Sequence, residues 1–323
     1  MLLSIIIPVF NVEKYVERCI VSCVNQCIPS CDYEIIAVND GTKDRSADIV
    51  KQLIPQYTNL KLINQSNQGL SAARNKGMSI AQGDYIWFVD SDDWISTDCL
   101  KDIFYCIKKE KPDGIAICAA NWIQGKAIRR NSFSEKNFKS GVEMLHRKKV
   151  QTCAPFTIWK RQFLINYQLK FMNGIFHEDT EFTYRAYYYA NQISTIDKIC
   201  YLVYQNPTSI TRTFNPKRIH DIVSEVCRSL YSFSQEIEIE HRCIYYDLIS
   251  MNLNTALSIL NKPSEELIKS INELFYINRS LYSILLKSSK IKYKIEGVLF
   301  ILFPKHAYEI YNLLQNINCS RIK

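Results

Sequence analysis

The apolar run Tyr85-Ile86-Trp87-Phe88-Val89 stops at a cluster of acids, Asp90-Ser91-Asp92-Asp93. A short run with no polar face reads as a strand covered on both sides, the signature of a parallel sheet sandwiched between helices. In open α/β sheets, ligands bind beyond the carboxyl ends of the strands, which is where these acids fall. If the strand's alternation continues, Asp90 and Asp92 project to one side, where two carboxylates can share a hard divalent cation with phosphate oxygens. Alone, the segment reads equally well as a polar turn closing a strand.

The rest of the first third repeats this grammar. Strands are expected at Leu3–Val9, Glu34–Val38, Leu60–Asn64, Tyr85–Val89 and Gly114–Ala119. Helices are expected over about 12–25, 46–56, 70–81 and 97–109. The alternation argues a doubly wound, mainly parallel sheet. Farther on, helices are expected over 140–148 and 178–190 and a strand over 199–204. Beyond Pro216 the apolar spacing is helical, as in Ile222, Val226, Leu230 and Phe233. The expected division is a catalytic domain over 1–215 and a helical region over 216–323.

Three strand ends offer polar groups at one edge: Pro8-Val9-Phe10-Asn11, Asn39-Asp40-Gly41-Thr42 and Asp90-Ser91-Asp92. Asp40 can accept a hydrogen bond from a base ring N–H, and Gly41 lets the backbone turn sharply beside a ligand; a simple turn explains the same residues. No G-x-G-x-x-G follows the first strand and no P-loop motif occurs, which argues against a dinucleotide dehydrogenase and a P-loop NTPase. The net charge of +8 suits acidic ligands or anionic surfaces, but no nucleic-acid-binding signature accompanies it, so a nucleic-acid partner is not expected.

The 12 cysteines, with no leader-like amino terminus, point to reduced thiols and a cytoplasmic location. Cys19, Cys23, Cys27 and Cys31 recur every fourth residue but fit no common zinc spacing; packing on a helix face accounts for the first two. No run reaches the roughly 18 to 20 apolar residues of a spanning helix. Lys287, Lys290, Lys292 and Lys294 precede Val298-Leu299-Phe300-Ile301-Leu302-Phe303, a pattern that fits peripheral contact with the inner face of a membrane or a packed tail with solvated lysines. The helical region would equally serve acceptor binding or a homo-oligomer interface.

Asn39-Asp40-Gly41-Thr42, Asn67-Gln68-Gly69, Ala73-Arg74-Asn75, Asp90-Ser91-Asp92-Asp93 and His177-Glu178-Asp179 stand in the order found in family 2 glycosyltransferases, which this chain resembles over about its first two-thirds. The resemblance implies a GT-A fold and an inverting transferase. It also implies a UDP-sugar donor, a divalent metal (Mn²⁺ or Mg²⁺) and a glycan or lipid-linked acceptor in surface polysaccharide synthesis. By position, Pro8, Val9 and Asp40 resemble the nucleobase pocket. Asn67 and Arg74 resemble contacts to the nucleotide and diphosphate, Asp90 the ribose and metal contact, and Asp92 the metal ligand. Asp179 resembles the base that takes the acceptor proton, with Glu178 its rival; neighbours on a helix do not share a face, so one of the two is expected in the site. His177, Trp159 and Arg212 are candidates for acceptor or diphosphate contacts, Trp159 as an apolar platform for a sugar ring. Asp93 is expected to be structural. A nucleotidyltransferase and a catalytically silent sugar-nucleotide binder are the competing readings; neither has a use for Asp179 as a base.

Overall fold

A computed structural model describes residues 1–135, 137–205, 214–260 and 263–320. The chain divides into two compact units, one of Met1–Gly174 with Glu178–Arg212, the other of Ile175–His177 with Thr213–Lys323.

The first unit is built on one mixed sheet. Its strands are β1 (Leu3–Val9), β2 (Tyr33–Asp40), β3 (Leu60–Gln65), β4 (Tyr85–Phe88), β5 (Trp94–Ile95), β6 (Gly114–Ile123), β7 (Lys126–Arg129), β8 (Asn137–Phe138), β9 (Thr157–Lys160) and β10 (Ile193–Tyr204). The order is β3-β2-β1-β4-β9-β6-β10-β5, with β7 beside β6 and β8 beside β10. Pairs β3-β2, β2-β1, β1-β4 and β6-β10 are parallel. All seven residues of β1 are buried, as a strand covered on both faces requires. The sheet is mainly parallel through β4, as expected, and β9 runs antiparallel between β4 and β6. Its four residues follow an irregular stretch that carries no helical or alternating signal.

Helices α1 (Val16–Val24), α2 (Ser46–Leu53), α3 (Leu70–Ile80) and α4 (Cys99–Glu110) are the crossovers of the first half; α5 (Gly141–His146), α6 (Arg161–Asn166) and α7 (Glu178–Tyr189) follow. Cys19 and Cys23 are buried on α1, whereas Cys27 and Cys31 are exposed, and no disulfide joins the described cysteines. The second unit is helical: α8 (Pro216–Asp221), α9 (Cys227–Glu236), α10 (Arg242–Ser258), α11 (Glu265–Ile277), α12 (Tyr282–Leu286), α13 (Ile291–Leu302) and α14 (Ala307–Ser320). Among the described residues no helix is long and apolar enough to cross a membrane.

Two close approaches position the site. Helix α3 lies so near β1 that a Cβ on Gly77 would sit 2.3 Å from Ile6 Cγ2. Strand β10 shifts register against β6 between Ile196 and Tyr201, an irregularity of the kind that re-aims side chains. Beyond it, Tyr201 and Leu202 pair antiparallel with Ile95 and Trp94 of β5, tying the chain just after the acidic turn to β10.

Gly77→Ala sets two effects against each other. Alanine favours the helix by about 1 kcal/mol. Overpacking against a strand core costs about 1–3 kcal/mol. The clash is with a branched side chain buried in β1, so the second effect wins, and a net loss of about 1 kcal/mol is expected in urea unfolding. An unchanged or raised midpoint would show that α3 can lift off the sheet freely.

Candidate active site

The carboxyl ends of β1, β2 and β4 lie side by side, with Val9 opposite Asn39 and Ile6 opposite Phe88. Strand β4 stops at Phe88, so alternation does not set the acids. Residues 90–93 form a turn closed by the Asp93 N–H on the Asp90 carbonyl at 3.0 Å. The Tyr201 hydroxyl accepts the Asp90 N–H (3.1 Å) and donates to Asp93 Oδ2 (2.8 Å), while the Tyr204 N–H donates to Asp93 Oδ1 (2.7 Å). From α1, Arg18 donates to the Asp92 carbonyl at 2.7 Å, its guanidinium 3.9 Å from the Trp94 ring centroid and 4.7 Å from that of Tyr204. The turn is thus held by a phenol, a main-chain amide and a stacked guanidinium. Asp93 points into the protein, and burial, with the charges of Asp90 and Asp92 beside it, pushes its carboxyl well above the usual range. Asp90 and Asp92 keep part of their surface open.

Arg74 joins this turn to α7. Its Nη2 lies 2.7 Å from Asp90 Oδ1 and its Nη1 2.7 Å from Glu178 Oε1, with the side chain almost wholly buried. Burial works against its charge, but Asp90 and Glu178 outweigh it and hold the guanidinium firmly protonated. Its Nε is buried without a hydrogen-bond partner. The expected diphosphate contact does not describe this arrangement: both terminal nitrogens are given to carboxylates, and the side chain is a clamp within the protein.

The clamp also separates the rival acids. Glu178 is held by Arg74, whereas Asp179 is not; its Oδ1 accepts the N–H of Thr180 at 2.7 Å. Asp179 is partly open to solvent but crowded by protein. That burial, reinforced by the charge of Glu178, pushes its carboxyl up to about 7; Arg74 pulls in the other direction. A carboxyl poised there can take a proton near neutrality.

Other expected residues fall in varied places. Asp40 is buried, and its carboxylate receives Gln65 Nε2, the Gln68 N–H and the Gly69 N–H, each at 2.8 Å. Asn67 Nδ2 donates to the Asp40 carbonyl at 3.0 Å. Gly41 sits at φ +68°, where a Cβ would come 2.9 Å from the Asn67 nitrogen. Asp40 thus organises the 65–69 loop. Pro8 and Val9 are buried in β1, and the exposed Phe10 is the first open side chain after them, a residue the sequence reading passed over. His177 has φ +64° and a buried Nε2 without a partner; burial, then Arg218, pushes it down to about 4, so it is neutral at physiological pH. Trp159 is a correction: it is 1% exposed, stacked 5.7 Å from Phe163 and edge-on 5.2 Å from Tyr187, so it belongs to the core and cannot face a sugar. Arg212 lies outside the described residues.

The donor set at the turn is hard oxygen. Asp90 Oδ1 is engaged by Arg74 while Oδ2 has no hydrogen-bond partner among the described residues. With Asp92 this suits a Mg²⁺- or Mn²⁺-like cation completed by phosphate oxygens, not a closed protein cage. Among the described residues, the protein groups that converge three donors are Glu238, Glu240 and His241, in the helical unit.

Arg74→Met should lower stability by about 3 kcal/mol, because it strands the buried Glu178 carboxylate and leaves the half-open Asp90 without its cation. Arg74→Lys keeps the charge but cannot fork to both acids, and a smaller loss is expected. Urea midpoints measure both; a midpoint for Arg74→Met equal to that of the wild type would show that the clamp contributes nothing. Tyr201→Phe keeps the ring packed near Trp87 and Phe156 but removes the donor to Asp93; a loss of about 1–2 kcal/mol is expected by the same measurement.

Comparison with known proteins bears on this geometry. Residues 4–168 match the model of Glycosyl transferase family 2. The chain is 36% identical over 197 residues to the poly(ribitol-phosphate) beta-glucosyltransferase of Bacillus spizizenii, covering 60% of this chain and 31% of that protein, so it spans about a third of that relative's length. Staphylococcus aureus TarS, residues 1–349 in complex with UDP-GlcNAc, superposes with a TM-score of 0.65 at 20% identity, covering 94% of this chain and 92% of the other. The mannosyltransferase PcManGT of Pyrobaculum calidifontis, solved with GDP-Man and Mn²⁺, gives 0.56 at 12% identity, covering 98% and 86%. The structural likeness confirms the expected GT-A architecture, and the match over residues 4–168 carries the assignment: the chain belongs to glycosyltransferase family 2.

Proposed function

We propose that this chain transfers a sugar, with inversion, from a UDP-sugar to a hydroxyl of a glycan or lipid-linked acceptor in surface polysaccharide synthesis. The observation that carries the reading is Asp179, a carboxyl poised at about 7 whose rival acid is tied to Arg74, with Arg74 in turn holding Asp90 of the acidic turn. Family membership supports it, as do the UDP-GlcNAc in the TarS complex and the polymer named for the Bacillus relative.

In this mechanism the strand-end loops receive the donor, with Asp40 shaping the 65–69 loop and Phe10 at its open edge. Asp90 and Asp92 would hold a divalent cation, which supplies neutralisation of charge on the departing diphosphate. The PcManGT complex supports Mn²⁺ as its identity. Arg74 fixes Asp90 and withdraws Glu178. Asp179 accepts the acceptor's proton as the new glycosidic bond forms on the face opposite the leaving group. The transferred group is a hexosyl or N-acetylhexosaminyl residue.

The test is UDP release from a panel of UDP-sugars with Mn²⁺, with Mg²⁺ and after chelation. Release that needs metal and selects one sugar supports the reading. Failure to bind any nucleotide under these conditions would sink it. Asp179→Asn should lower kcat by roughly 10²–10⁴ with little change in donor KM. With the base ionised above about 7, kcat/KM should rise about tenfold per pH unit below that value and level off above it.

Stability should move the other way. The folded pKa of Asp179 lies above its usual 3.8, so between those values the folded state binds more protons than the unfolded one and loses stability as pH rises. Asp179→Asn removes this penalty. Its Tm advantage should begin near pH 4, grow to about 7 and then stay constant. A variant no more stable at pH 8 than at pH 4, relative to wild type, would show that Asp179 titrates normally.

A further inference from the structure

We propose that the outward face of α13 docks on an anionic membrane surface, with the helix lying in the plane of the headgroups. The proposal rests on α13 alone and does not depend on the catalytic reading.

Ile291, Ile295, Val298 and Leu302 are spaced four, three and four residues apart and so form one stripe along the helix. They are 74%, 48%, 48% and 63% exposed, and Phe303 just beyond them is 54% exposed. The opposite face is the buried one, formed by Tyr293, Glu296, Gly297 and Phe300. A Cβ on Gly297 would meet Leu285 Cβ at 2.9 Å and the Tyr282 carbonyl at 3.1 Å, and Phe300 lies 5.3 Å from the Tyr282 ring. This contact with α12 is too close for the helix to turn its stripe inward. A helix apolar on both faces, with one face already packed, marks a surface meant to be covered.

Charge selects the cover. Lys290, Lys292 and Lys294 accompany the stripe, Lys287 precedes it and Lys305 follows. The only acid in α13, Glu296, is fully buried and accepts Asn254 Nδ2 at 2.7 Å. The outward side is therefore apolar and cationic with no carboxylate of its own. Lys292 reaches Glu296 Oε1 at 3.9 Å and Asp247 is near enough to Lys290 to feel its charge, but the lysines outnumber these acids; a two-fold pairing with a second copy would double that cationic surplus, whereas anionic headgroups satisfy it. The 12 residues of α13 make about 18 Å of helix, too short to span a bilayer. Lying in the interface is the geometry that remains.

The full chain should be tested by co-sedimentation with vesicles of phosphatidylcholine alone and of phosphatidylcholine mixed with phosphatidylglycerol, at low and high salt. Binding is expected to the mixed vesicles only, and high salt should release it. Ile295→Asp with Leu302→Asp should weaken binding by about tenfold or more, through loss of the apolar contact. Lys290→Gln with Lys294→Gln keeps the stripe, removes two positive charges and sets no like charge beside Asp247; it should weaken binding comparably, so this pair carries the test if the aspartate pair proves unstable. Nucleotide binding without vesicles should be the same for wild type and both variants, which separates docking from catalysis. The proposal is overturned if wild type ignores the mixed vesicles, if both variants bind as wild type does, or if wild type is a dimer that the aspartate pair converts to monomer while vesicles bind neither.

Discussion

One buried guanidinium organises the catalytic unit. Arg74 reaches Asp90 on one side and Glu178 on the other, acids far apart in the sequence. A charge so buried is tolerable only when paired, and here each terminal nitrogen has a carboxylate at 2.7 Å. The price is rigidity on both sides: the acidic turn and the start of α7 cannot move independently without stranding a charge. The close seat of α3 on β1 at Gly77 extends this constraint to the sheet.

The same clamp explains why two adjacent acids behave differently. Glu178 has a cation at hydrogen-bond distance, whereas Asp179 meets Arg74 only through space and meets Glu178 as a like charge. Crowding and repulsion raise Asp179, and His177 beside it in sequence is displaced the other way, down to about 4. The two act oppositely on stability. Asp179 favours folding less as pH rises from 3.8 towards 7; His177, kept neutral, favours folding less as pH falls from 6.5 towards 4. Through much of the acidic range the opposing slopes offset one another, so a strained site need not give a pH-sensitive fold.

What could be read from the sequence follows from locality. β1, β2 and β4 were legible because strands buried on both faces are continuous apolar runs. The strand-end placement of Asp90 was legible for the same reason. The partners were not. Nothing near Asp93 points to Tyr201, which is aimed by an irregularity in β10 over a hundred residues later. Arg74 sits in Ala-Ala-Arg-Asn-Lys, a context that reads as solvated, and its second carboxylate is 104 residues away. Trp159 has the same letter whether it faces a sugar or the core; four-residue β9 buries it.

The surplus of charge at this edge has a physical consequence. Asp90, Glu178 and Asp179 gather around one Arg74, and Asp92 lies in the same turn as Asp90. Three carboxylates against one guanidinium leave the cluster negative, and Asp179 relieves it by holding its proton up to about pH 7. Positive charge brought to Asp90 removes part of the repulsion that adds to burial in keeping Asp179 protonated. Such a base is largely protonated below about pH 7 while the edge is empty of cations; positive charge beside it lowers its proton affinity, so more of it is ionised and able to accept a proton. Burial, with the charges of Glu178 and Asp90 added to it, thus sets the cost of Asp179 to the fold, and the charged part makes its proton affinity responsive to what binds beside it.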